Sequence, residues 1–159
     1  MIKLDKSDKN MIEKIEAHGW FAISVAPAVD SDDPEEWFTY TIGLPHTFGW
    51  PELICFGLDS EFAHGLLSDA IDECKSKNNI PSAGMILTEV IEGFPAKLVD
   101  GSSISDNYFG YARWFARYIG TKDPPDRLQL LWPDKRGVFP DESGCAEGVI
   151  LAQTPVETQ

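Results

Sequence analysis

The chain has 159 residues, 43% apolar and 11% aromatic, enough for one sizeable core and near the common size of a single domain. Its 13 basic residues stand against 26 acidic ones, a net charge of −13, which argues against nucleic acid and anionic membrane surfaces as partners because both draw their affinity from clustered Lys and Arg. No apolar run approaches the roughly 18–20 residues of a bilayer crossing, and Met1–Asn10 carries mixed charge without an apolar signal region, so a soluble, cytoplasmic single domain over 1–159 is expected, with frayed ends at about 1–6 and 153–159.

Ser7 is the expected N-cap of a first helix with Met11, Ile12 and Ile15 at helical spacing, stopped by Gly19, with His18 placed to meet the terminal carbonyls of the last turn. Trp20–Val25 is strand-like. Asp30–Glu36 holds five acids, one proline and no apolar residue, and reads as a solvated loop; without a central glycine it does not fit a calcium loop. Two strands follow, Trp37–Gly43 and Glu52–Gly57, joined by a loop in which Pro45, Gly49 and Pro51 bracket His46.

Ser60–Lys77 is the clearest helix, its apolar stripe running from Phe62 to Cys74 with His64 at the edge. Gly84–Glu92 and Phe94–Val99 form a strand pair turning at Gly93, in which Pro95 demotes the second member to an edge or late-starting strand. Asp106–Ile119 is an aromatic helix, apolar almost all round, with Asp106, Arg113 and Arg117 on one polar stripe. Arg127–Trp132 is a further strand, Pro133–Gly137 a turn, and Gly148–Ala152 a candidate last strand. This order lacks the regular alternation of a doubly wound fold and predicts an α+β domain: a mainly antiparallel sheet packed with about three helices in a single layer.

Two constellations could carry chemistry. Tyr40, His46 and Glu52 supply a phenol, an imidazole and a carboxylate that a hairpin-like return would bring to one rim, types competent for proton transfer; the competing reading is that Glu52 accepts backbone hydrogen bonds from a shaped turn. In the second, Gln129 needs a hydrogen-bond partner if it turns inward, Trp132 and Asp134 would frame a pocket lip, and Arg113 is available to hold an anion. A site common to both requires the two proline-punctuated segments to fold against each other.

His18, His46 and His64 lack the short spacings of a metal pair, and Cys55, Cys74 and Cys145 are odd in number and far apart, so neither metal nor disulfide is predicted and a reducing compartment suits the thiols. No dinucleotide, phosphate-loop or nucleophile-elbow motif is present, so no cofactor is predicted.

Phe38-Thr-Tyr-Thr-Ile-Gly-Leu, Trp50-Pro-Glu-Leu, Phe56-Gly-Leu, Tyr111-Ala and Gln129-Leu-Leu-Trp-Pro-Asp with Gly137 and Pro140, preceded by His18-Gly19-Trp20, together resemble the bacterial family catalogued as domain of unknown function 4262. The resemblance runs through nearly the whole chain in order. It implies a single domain and assigns no substrate, cofactor or catalytic residue. Charge and the lack of a catalytic signature favour a binding module for a basic protein or a small ligand, including an immunity-like partner of a basic toxin. The alternative is a small hydrolase-type enzyme using His46 as acid or base and Glu52 as its orienting carboxylate.

Overall fold

The computed structural model describes residues 4–25, 37–91 and 93–154; the acidic stretch Asp30–Glu36 lies outside them. In chain order the elements are α1 (Lys6–His18), β1 (Phe21–Val25), β2 (Phe38–Ile42), α2 (Leu44–Phe48), β3 (Glu52–Phe56), α3 (Ser60–Ser76), β4 (Ile86–Ile91), β5 (Phe94–Asp100), α4 (Gly110–Ile119, entered through a 3-10 turn at Asp106–Phe109), β6 (Arg127–Leu131) and α5 (Glu147–Ala152). The fold is α+β. One six-stranded sheet runs in the order β1-β2-β3-β6-β5-β4, antiparallel throughout except for the parallel pair β3 and β6.

The described residues hold five α-helices where about three were expected, and the longer ones do not form a single layer. Leu53 and Cys55 of β3 pack with Leu66, Leu67, Ala70 and Ile71 of α3, whereas Ile54 and Phe56 pack with Met11 and Ile15 of α1 and with Ala112 and Phe115 of α4. Alternate residues of a strand point to opposite faces, so α3 covers one face and α1 with α4 the other. Among the described residues no helix is long and apolar enough to cross a membrane.

Several local expectations change. Asp5, not Ser7, caps α1: its carboxylate accepts the Asp8 N–H at 2.8 Å while Asp8 accepts that of Asp5 at 3.1 Å, a reciprocal box closed by two aspartates. Pro95 sits in an interior strand, but β5 pairs with β6 only from Lys97 onward, so the missing proline N–H removes no bond on that side. The outer strand on that side is β4, where the Glu73 carboxylate reaches from α3 to accept the backbone N–H of Thr88 and Glu89 at 3.4 and 2.7 Å.

The closing segment is the helix α5, not a strand. A short apolar run such as Val149–Leu151 has no periodicity of its own. Gln153, placed by the sequence reading in the trailing end, is 2% exposed: its side-chain amide accepts the Trp132 N–H at 2.9 Å and donates to the Trp132 carbonyl at 2.8 Å, standing in for a neighbouring strand just past β6.

Candidate functional site

The loop between β2 and β3 is built around Glu52. Gly43, at φ 102°, turns the chain out of β2, and Leu44–Phe48 form the one-turn helix α2, closed by Gly49 at φ 76°. This puts the N–H groups of Gly43 and Leu44 over the Glu52 carboxylate, at 2.9 and 3.2 Å, and the Thr41 hydroxyl donates to it at 2.8 Å. Glu52 is 2% exposed. Burial pushes its carboxyl up to about 7 against the pull of these three donors.

Beside Glu52 is a cavity of only about 10 Å³, room for at most a single water, walled by Pro45, His46, Phe115, Lys122 and Pro125. His46 is exposed, sets its ring edge-on to Phe115 with centroids 5.8 Å apart, and makes no hydrogen bond or ion pair among the described residues. Tyr40 lies buried on the same face of the sheet, where its hydroxyl accepts the Tyr111 N–H at 3.0 Å; burial pushes the phenol up to about 12. The three side chains therefore share a neighbourhood without forming a hydrogen-bonded unit.

The second constellation is elsewhere. In the parallel pair, Glu52 is opposite Arg127 at the start of both strands, while Trp132, just past β6, donates its indole N–H to the Phe56 carbonyl at 2.9 Å at the far end of β3. Four residues of strand, about 13 Å, separate the two loops, which leave the sheet at opposite ends and do not share a rim. Gln129 donates to the Gln153 carbonyl at 2.7 Å, the internal partner its position demanded. The buried Asp134 carboxylate accepts the backbone N–H groups of Arg136, Val138 and Ala146 at 2.9–3.0 Å, and those to Val138 and Ala146 chiefly hold it below the ordinary carboxylate range. Arg113 pairs with Asp123 at 2.8 Å, a carboxylate that also takes Arg117 at 3.0 Å.

Among the described residues no group of three or more His, Cys, Asp or Glu side chains is arranged to hold a metal ion. Arg127, opposite Glu52, is saturated too: its guanidinium meets the Ile104 and Pro125 carbonyls and Asp106, and lies 4.5 Å from the Phe109 ring centroid. It borders an open cavity of about 430 Å³ that also contains Asp100, Asp106 and Asp126.

Sequence reasoning missed a groove of about 440 Å³ between α3 and β4. Leu66, Val90 and Ile91 form its floor, Phe62 stands over it 50% exposed, and Asp59, Glu61 and Asp69 rim it. Burial, with Asp72 close by, raises the Asp69 carboxyl above its ordinary range. The available signal was Phe62 itself, a large apolar residue directly after Asp59 and Glu61 at the start of a helix whose inward stripe is complete without it.

The buried Glu52, Gln129, Asp134 and Gln153 are engaged by internal partners, and two of the surface cavities of this α+β fold are lined by acids. Residues 14–146 match the family model described as Domain of unknown function (DUF4262), and the chain belongs to that family. Neither curated proteins nor solved structures give a match.

Proposed function

We propose that this domain is a binding module for a basic protein partner, engaged along the α3–β4 groove, in the manner of an immunity-like neutralising subunit. The observation that carries this reading is the juxtaposition of the exposed Phe62 and an apolar floor with Asp59, Glu61 and Asp69 on a chain of net charge −13. An aromatic anchor in an apolar trough supplies affinity, and a one-signed rim steers an oppositely charged partner and rejects like-charged ones. A cationic side chain docked beside Asp69 and Asp72 would relieve the crowding of those two carboxylates.

The test is titration with a synthetic amphipathic peptide of alternating Lys and Leu, read by calorimetry and by backbone amide shifts. Saturable binding that weakens with salt, maps to Phe62, Leu66 and Val90, and falls on Phe62→Ala and on Asp69→Asn supports the reading. Binding indifferent to salt and to both substitutions, or none, sinks it.

A second reading rests on one observation, the Glu52 carboxyl pushed up to about 7 at the wall of a cavity shared with His46. It makes the β2–β3 loop the centre of a small hydrolase-type enzyme. Against it, both Glu52 oxygens and the Tyr40 hydroxyl are occupied by internal donors, and the cavity holds no more than a water. A screen of ester and amide substrates in which Glu52→Gln and His46→Ala leave any turnover unchanged would remove it.

A further inference from the structure

We infer that the cavity at the outer edge of β1 is a binding site for a small planar carboxylate, held by the Lys14 ammonium and the His18 and His64 imidazoles over an aromatic floor. The cavity, of about 420 Å³, takes Lys14 and His18 from α1, Trp20 from just before β1, Phe21 from its first position, and His64 and Ser68 from α3. Since α1 and α3 lie on opposite faces of the sheet, a space touching both lies beyond β1, the last strand on that side among the described residues. Its volume fits a ligand of one or two rings.

Three features fix the chemistry. First, among the described residues no Asp or Glu lines this cavity, whereas each of the three others described has a carboxylate in its wall, on a chain where acids outnumber bases two to one. A negative ligand therefore finds here the Lys14 ammonium and a wall of donors, with no opposing carboxylate among the described residues.

Second, the donors are unspent. Among the described residues, the side chains of Lys14, His18, His64 and Ser68 make no hydrogen bond or ion pair. The four arginines and Lys77, Lys97 and Lys122 are paired with carboxylates; of the lysines without an ion pair among the described residues, Lys6, Lys9, Lys75 and Lys135 line none of the described cavities, and Lys14 alone faces one. An ammonium offers three donors and no acceptor, and imidazole and hydroxyl groups offer one each, so the complementary group is rich in acceptors and small.

Third, the Trp20 indole lies 5.6 Å from the His64 ring with 25° between their planes, and Trp20 also packs against the core cluster under α3. That anchored pair is a shelf for a flat body, which a bare inorganic anion would leave unused. An aromatic carboxylate satisfies shelf and donors together.

The experiment titrates the protein with benzoate and 1-naphthoate, and with the neutral benzamide and 1-naphthamide, by calorimetry and by NMR of the histidine and tryptophan rings. The expected result is saturable carboxylate binding with shifts centred on His18, His64 and Trp20, and amides at least about tenfold weaker, since a hydrogen bond to a charged group contributes about 1.5–3 kcal/mol. Lys14→Ala and His64→Phe, the second keeping an aromatic ring against Trp20, should weaken the carboxylates and leave the amides unchanged. Phe62→Ala should leave all four alone, which separates this site from the α3–β4 groove. Lack of saturation by either carboxylate, equal affinity for the amides, or shifts centred elsewhere overturns the proposal. Thermal melts of each variant show that the fold is retained.

Discussion

The Glu52 carboxylate accepts the backbone N–H of Gly43 at 2.9 Å, so the first residue of β3 holds the residue that leaves β2 and closes the loop between them from inside. With Thr41 and Leu44 also donating, the side chain replaces the ladder bonds that the strands cannot make across a loop of this length. The consequences of that clamp can be measured.

Stability should fall as pH rises through neutrality. The Glu52 carboxyl titrates near 7 in the fold against an ordinary 4.5, so the folded state holds its proton more tightly than the unfolded chain. The contribution is fully present below about 4.5 and lost as pH climbs to about 7, with a ceiling of roughly 3 kcal/mol from linkage. Asp69, also raised, acts with the same sign, whereas Asp123 and Asp134, both lowered, lose their contributions only in acid. Urea denaturation of wild type and Glu52→Gln across pH 5–8 isolates the effect: the wild type should show the step and the variant should not.

Gly43→Ala should destabilise more than Gly49→Ala. Both positions have positive φ, 102° and 76°, which costs a residue with a Cβ about 1–2 kcal/mol. At Gly43 the added carbon would also meet Ile15 Cγ2 at 2.9 Å, whereas at Gly49 nothing lies within 4 Å. Because Ile15 is a core residue of α1, the first substitution should also loosen the helix, seen as faster hydrogen exchange around Met11 and Ile15. Equal losses for the two variants would mean that the close approach carries no weight.

The parts readable from sequence are those in which local pattern and final environment agree. The stripe from Phe62 to Cys74 gives α3 almost to the residue, although Phe62 itself turns outward and only Ala63 onward is buried; Gly19 stops α1, and Gly93 turns β4 into β5. Glu52 could be placed as a turn acceptor because a carboxylate follows a loop rich in Gly and Pro. What was not readable depends on distant pairing. The parallel match of β3 with β6, which sends the Trp132–Gly137 turn away from His46, leaves no mark on either strand, since both are short and buried on both faces. The helical state of α5 is likewise decided by what packs on it: a Cβ at Gly57 would lie 2.6 Å from the Ala152 carbonyl oxygen, a contact between residues almost a hundred positions apart.

Gln153→Glu should cost about 1–3 kcal/mol although it preserves shape. The amide both accepts from Trp132 N–H and donates to the Trp132 carbonyl; a carboxylate keeps the first bond and sets an acceptor against an acceptor in the second. Since Gln153 is 2% exposed, water does not readily replace the lost donor. The loss should appear in urea denaturation, and a variant as stable as wild type would show that the amide is not the strand substitute its geometry describes.

Tyr40→Phe tests how α4 begins. Phe109, at the N-cap position, makes no side-chain cap bond, and the N–H of Tyr111 in the first turn is taken instead by the Tyr40 hydroxyl at 3.0 Å, from a strand seventy residues earlier. Removing that oxygen keeps the ring contact with Phe109, at a centroid distance of 5.7 Å, and orphans one donor of the helix terminus. The expected cost is about 1 kcal/mol, in the range of a lost N-cap, with hydrogen exchange quickened at Tyr111 and unchanged in α3. If instead exchange quickens equally in both helices, the phenol acts through general packing of the core and not as the cap of α4.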